Sequence, residues 1–360
     1  MQNILRTIPN FSLYDSESAV FTEHALFVDI ETTGFSARNA RVYLIGMAYR
    51  KGSDLYIRQL MADSSDEEAR LLDEFSAFLT DHSCLISFNG IGFDLPFLEE
   101  RARKFGLPLS FSGMQLIDLY KTALSLKKLL GLVSYRQKAL ETFLGIRRED
   151  CMDGGQLIEV YRNYCRQPDR EALNLLLLHN YEDVLGMTAL LSLFRCQKAL
   201  KGPSGPVRFE VISEEGTGGF SLLLTFPLAE PLPVPLHTSC ERILLDLQEV
   251  TGQLILPVCK GELYYFFADY KDYIYLPLED RAIHKSLAAF VDKDHREKCH
   301  PYNCYMRKEG VFLPQLYAWK KPCYLRHYKD SVSWFELERE MLSDQEFLGE
   351  YIRQIMNWML

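Results

Sequence analysis

Three short apolar runs in close succession, residues 25–30, 43–49 and 55–61, are rich in β-branched and aromatic side chains and read as a meander of three strands. Behind them, helical and strand patterns alternate. Ser65 with Glu68 three residues on has the form of a capping box, and Ala69, Leu72, Phe75 and Leu79 follow at helical spacing, which predicts an amphipathic helix. A short apolar strand at 84–88, a helix over 95–105, a strand at 114–119 and a mainly helical stretch to residue 200 complete the order βββαβαβ plus helices. An antiparallel start followed by strands alternating with helices implies an α/β fold, with a mixed five-stranded sheet covered on its faces by helices.

The text changes after residues 200–206, where Gly, Pro and Ser cluster as in a linker. The runs 220–226, 242–247, 254–258, 263–268 and 273–276 are short and punctuated by Gly, Pro and Asp, so a β-rich domain is expected. It closes on a helical pattern over 343–360, with Phe347, Leu348, Tyr351, Ile352, Ile355 and Met359 at helical intervals. The expected division is a domain over 22–200, a linker over 201–206 and a second domain over 207–360, which suits a chain of 360 residues. Hydrophobic residues at 48% and charged residues at 25% exclude disordered, collagenous and coiled-coil classes. No apolar run approaches the roughly 18 residues that span a bilayer, and the first ten residues lack the apolar core of a leader, so no membrane partner and a cytoplasmic location are expected. Nine scattered cysteines fit a reducing compartment better than a disulfide framework.

Chemistry enters at Phe27-Val-Asp29-Ile-Glu31-Thr-Thr-Gly34. Residues two apart on a strand share a face, so Asp29 and Glu31 present two carboxylates together at the end of an apolar run. Such a pair repels itself unless a hard divalent cation sits between the oxygens, although a strand simply running into a polar turn has the same sequence. A second motif, Asn89-Gly90-Ile-Gly92-Phe93-Asp94, ends a buried strand in a glycine-containing turn, and Asp94 suits either a ligand role or an N-cap before Pro96. A third, His179 with Asp183, places two polar groups four apart on one face of a leucine-rich helix and turns Tyr181 away. Burying that pair without a ligand is costly.

These motifs, in this order, resemble the DEDD-type superfamily of two-metal 3′–5′ exonucleases with a ribonuclease H-like fold, over roughly residues 22–196. The stretches Ile117-Asp118-Leu-Tyr120, Ala139-Leu-Glu141-x-x-Leu144-Gly145-Ile146 and Ile158-x-x-Tyr161 are similar to one bacterial branch, the uncharacterised ribonuclease H-like exonuclease domain proteins. The resemblance implies a metal-dependent exonuclease using two Mg²⁺ or Mn²⁺ ions, with Asp29 bridging both, Glu31 and Asp183 holding one and Asp94 helping to hold the other. It also implies that Thr32, Phe35 and Asn89 meet the terminal nucleotide of DNA or RNA, expected as a single-stranded end. The His stands four residues before the last Asp, the spacing used by branches with a tyrosine, so His179 takes the tyrosine's slot. As an imidazole, with an ordinary pKa of about 6.5, it suits a general base at neutral pH. The alternative is a non-catalytic nucleic-acid or protein interaction module on the same fold.

The net charge of −9 argues against a polyanionic partner, but ten Lys and Arg face four Asp and Glu within residues 285–329. That stretch interleaves Tyr302, Tyr305, Phe312, Tyr317, Trp319, Tyr324 and Tyr328 with the cations, as a single-strand surface needs, or as a solvated face over an ordinary aromatic core. Cys299, Cys304, Cys323 and His327 have the loose outline of a zinc site without a tight pair.

Overall fold

The computed structural model describes residues 1–150, 152, 154–213, 219–316 and 318–359. The chain forms two compact units, Met1–Lys198 and Ala199–Leu360. The first is built on a six-stranded mixed sheet in the order β1-β4-β3-β2-β5-β6, comprising β1 Gln2–Ile8, β2 Ala25–Thr32, β3 Val42–Lys51, β4 Asp54–Met61, β5 Cys84–Ser87 and β6 Gln115–Asp118. Strands β1 to β4 pair antiparallel, and β5 and β6 run parallel to β2. The sheet therefore has one strand more than the five expected. Strand β1 lies at the edge, alternates half-buried and exposed residues and carries Arg6 mid-strand, so it lacks the apolar run that marks the interior strands.

Around the sheet stand α1 Asp15–Ser18, α2 Glu68–Leu79, α3 Asp94–Lys104, α4 Leu119–Ser125, α5 Lys127–Leu130, α6 Gln137–Phe143, α7 Gly154–Arg166, α8 Arg170–Ala189 and α9 Leu193–Ala199. The two faces of β2 are sorted by its alternation. Leu26, Val28 and Ile30 enter a core with Leu71, Leu72 and Phe75 of α2 and Leu95 and Leu98 of α3. A second core joins Tyr43, Leu44 and Met61 to Leu157 and Tyr161 of α7 and Leu176 and Leu177 of α8, with Tyr43 stacked on Tyr161 at 4.0 Å. Sheet strands covered on both faces read as continuous apolar runs, as β3 does.

The capping box at Ser65 does not form. Residues Ser65–Glu67 make a 3₁₀ turn, α2 begins at Glu68, and the Glu68 carboxylate instead accepts the Val42 amide and pairs with Arg101. Buried Phe75, at about 1.5–3 kcal/mol for such a side chain, anchors this helix by packing rather than by its cap.

The second unit is β-rich, with β7 Arg208–Ser213, β8 Phe220–Pro227, β9 Leu236–Cys240, β10 Ile243–Gln248, β11 Thr251–Phe266, β12 Tyr273–Leu276, β13 Arg281–His284, β14 Glu297–Lys298, β15 Tyr305–Gln315 and β16 Ser333–Glu336. They form a seven-stranded and a three-stranded sheet, followed by α10 Gln345–Met359. The run 254–258 and most of the run 263–268 belong to one strand, β11, which ends at Phe266. Its pairing with β10 ends at Ile255 and that with β15 begins at Cys259, so Pro257, which has no N–H to offer, falls between those two ladders and is paired only with Ser221 of β8.

Candidate metal centre

Strand β2 and helix α8 bring the first and third motifs together. Phe27, Asp29 and Glu31 occupy the face of β2 opposite to Leu26, Val28 and Ile30. Helix α8 packs against β2, β3 and β4 and delivers His179, Asn180 and Asp183. His179 Nε2 lies 3.1 Å from Asp183 Oδ2 and 3.5 Å from Glu31 Oε1. One donor atom from each of Glu31, His179 and Asp183 falls within 4.8 Å of the other two, the only such metal-capable group among the described residues.

Asp94 joins them from the start of α3. The N-cap there is Phe93, and Asp94 Oδ1 accepts the Ile30 amide at 3.3 Å, so the carboxylate is turned to the end of β2 rather than spent on capping. Burial first, then Asp118 and Asp183, push its carboxyl up to about 7 against the pull of two backbone amides. Burial and the charges of Asp183 and Asp94 hold Asp29 and Glu31 well above the usual carboxylate range as well. Mutual repulsion of this kind is what a divalent cation relieves, and oxygen donors suit a hard ion, so these residues fit the ions that the resemblance implies.

The shell behind the carboxylates was not readable in the sequence. Asn180 Nδ2 donates to Asp29 Oδ2 at 2.8 Å, Gln59 Nε2 donates to Asn180 Oδ1 at 3.0 Å, and Arg6 Nη1 donates to Gln59 Oε1 at 2.7 Å. Arg6 can only donate, so it sets the orientation of both amides in turn and leaves an N–H for Asp29. Asn180 amid leucines was the one available signal. On the other side Arg148 bridges Glu141 and Asp183, with bonds of 2.5 Å from Nε to Glu141 and 2.5 Å from Nη1 to Asp183. Glu141 is buried and stands four residues from Gln137, which also bonds the Asp183 carbonyl. Asp150 Oδ2 lies 2.7 Å from His179 Nδ1.

The residues expected to meet a nucleotide are dispersed around this centre. Phe35 is 93% exposed and makes an edge contact with Phe93 at 6.5 Å, leaving a ring face to solvent. Asn89 adopts φ 60°, and its amide is held by Asp118 at 2.8 Å. Thr32 spends its hydroxyl proton on the Gly34 carbonyl, tying the turn after β2. Tyr181 faces away, under Arg6 at 4.6 Å, as its helical position predicts.

In the second unit the aromatic residues of 285–329 divide. Phe312 and Tyr324 are core, Trp319 packs on Phe347 and Tyr351, and Tyr305 donates to Asp280, whereas Tyr302 is 60% exposed and Tyr328 is 39% exposed. Tyr317 lies outside the described residues. The cations are not spread evenly either: Lys285, Arg296 and Lys298 join Lys271, Tyr270 and Tyr273 around a cavity of about 630 Å³. Cys299 and Cys304 are buried with Ala282, Phe267 and Tyr273, while Cys323 bonds the Lys320 carbonyl, so the four residues of the zinc outline do not gather.

Residues 26–194 match the family model described as the RNase_H superfamily. Among solved structures, the family B DNA polymerase of the hyperthermophilic archaeon Pyrobaculum calidifontis is 15% identical, with a TM-score of 0.37 over 73% of this chain and 39% of that one. Exonuclease I of E. coli in complex with a dT13 oligonucleotide is 16% identical, with a TM-score of 0.32 over 62% of this chain and 55% of that one. The chain thus spans about half the length of exonuclease I, and no curated protein matches it. No helix among the described residues is long and apolar enough to cross a membrane.

Proposed function

Residues 26–194 are an RNase H-superfamily domain, and from that premise we propose that this chain is a metal-dependent nuclease that hydrolyses phosphodiester bonds at nucleic-acid ends in the 3′–5′ direction. The observation that carries the reading is that Glu31 and Asp183 lie together with His179, where Asp94 also meets β2, and that burial first and then the neighbouring carboxylates push Asp29, Glu31 and Asp94 above the usual carboxylate range. Asp29, Glu31, Asp94 and Asp183 would hold two divalent ions, whose positive charge would stabilise the entering and leaving oxygens of the displacement. The protein's own part is positional. Asn180 fixes Asp29 by one hydrogen bond and Arg148 fixes Asp183 by another, so the carboxylates are aimed before substrate arrives. The exposed ring of Phe35 offers a face for the terminal base, and the groove at Lys271, Lys285, Arg296 and Lys298 offers cations and tyrosines to a phosphate backbone.

The test is digestion of single- and double-stranded DNA and RNA, each labelled at either end, with Mn²⁺ and with a chelator. Mononucleotide release from the 3′ end is expected, lost on chelation and abolished in Asp29→Asn and Asp183→Asn with the fold intact. Charge reversal at Lys285 and Lys298 is expected to raise the KM. Full activity in both Asn variants removes the reading, and an inert wild type with every substrate favours the interaction module instead.

A further inference from the structure

We propose that His179 is a nitrogen ligand of the cation held by Glu31 and Asp183, and that Asp150 is the positioning residue that fixes its tautomer for this role. The inference rests on the reading of this centre as a divalent-metal site, and it gives His179 a different task from the general base expected of that position. The ring has two nitrogens and the fold assigns each. Nδ1 is 2.7 Å from Asp150 Oδ2, and an ionised carboxylate only accepts, so the proton sits on Nδ1. In the neutral ring Nε2 keeps its lone pair, and that nitrogen lies 3.5 and 3.1 Å from oxygens of Glu31 and Asp183. With one oxygen each from Glu31 and Asp183 this nitrogen makes a set of three donors within 4.8 Å of one another, a spacing that one ion can span.

Asp150 is built to hold the ring. Its side chain is 4% exposed, Lys138 Nζ reaches Oδ2 at 3.0 Å, and the Met152 amide reaches Oδ1 at 3.0 Å. The Glu182 carboxylate takes the amides of Glu149 and Asp150 at 2.8 and 2.9 Å, which pins this segment to the helix that carries His179 and Asp183. A carboxylate behind a histidine ligand is the arrangement that fixes ring orientation and raises ligand basicity. It also bears on which ion is taken. Mg²⁺ favours oxygen and gives up its waters reluctantly, so one imidazole in the set favours Mn²⁺ over Mg²⁺.

The experiment is pulsed electron paramagnetic resonance on the full chain loaded with Mn²⁺, with Mn²⁺ and Mg²⁺ affinities measured by calorimetry. A ¹⁴N coupling from a bound imidazole is expected in the wild type, replaced by a ¹⁵N coupling on histidine labelling and lost in His179→Gln. Asp150→Ala is expected to weaken Mn²⁺ binding about 10- to 100-fold, with Asp150→Asn between it and the wild type because the amide oxygen still accepts from Nδ1. An all-oxygen Mn²⁺ signal from a wild type that still cuts oligonucleotides overturns the ligand assignment and leaves the nuclease reading standing. No Mn²⁺ binding together with no hydrolysis overturns both. Unchanged affinity and coupling in Asp150→Ala overturns the role of Asp150, and because the decisive spectrum is that of the wild type, it does not depend on any variant folding.

Discussion

Gly46 sits directly opposite Asp29 in the β2–β3 ladder, and the space a side chain would take there is filled by Asn180. A Cβ built on it would lie 2.2 Å from Asn180 Oδ1 and 2.6 Å from Val184 Cγ2. The residue is therefore required by close approach rather than by backbone conformation. Gly46→Ala is expected to destabilise the fold by roughly 1–3 kcal/mol, the usual cost of overpacking, and to lower nuclease turnover because Asn180 can no longer reach Asp29. Urea unfolding and turnover on a labelled oligonucleotide check this; wild-type values in both would show that Asn180 does not depend on the gap. A glycine inside an apolar strand carries no mark of such a role. Asp29 and Glu31 were legible because carboxylates ending an apolar run are conspicuous, and Asp94 because it closes a glycine turn ahead of a helix, whereas Gln59 and Arg6 act across pairings that only the folded sheet creates.

At the level of elements, α8 was legible as a helix and its polar face as a site, because the 3.6-residue period puts His179 and Asp183 together. What meets that face was not. Arg148 reaches Asp183 across 35 residues of sequence, from a segment between α6 and α7 with no periodicity to read. The same limit explains the single strand β11, where Pro257 and Gly261 punctuate a run that only a change of neighbours makes continuous. Arg148 lies between two carboxylates with 8% of its side chain exposed, and Glu141 beside it is 2% exposed. Arg148→Met is expected to cost roughly 3–5 kcal/mol, because it strands the Glu141 charge in the interior. Adding Glu141→Gln removes the stranded charge and should restore much of the stability, but not turnover, since Asp183 still lacks its guanidinium. A double-mutant cycle in urea separates these outcomes, and a purely additive cycle would contradict the bridge.

For the whole molecule, the net charge of −9 matters less than where acids are crowded. Folding raises the carboxyls of Asp29 and Glu31 well above their ordinary values and that of Asp94 to about 7. A carboxyl with a higher pKa folded than unfolded keeps its proton longer in the native state, so the native state binds more protons across the interval between the two values. The stability these groups contribute is full below about pH 4, the unfolded value for a carboxyl, and is lost as pH rises through each folded value, about 7 for Asp94. A cation displaces those protons and removes the repulsion, so it acts most at the alkaline end. With Mn²⁺ at about a hundredfold its Kd, linkage stabilises by about 2.7 kcal/mol, or roughly 5–10 °C in melting temperature for a unit of this size. Calorimetric melts in a chelator are thus expected to fall from about pH 5 to about pH 8, with the fall flattened in Asp94→Asn and offset by Mn²⁺ mainly above about pH 7. A Mn²⁺ shift equal at both ends of that range would place the ion away from these carboxylates, because a cation bound among them must compete with their protons.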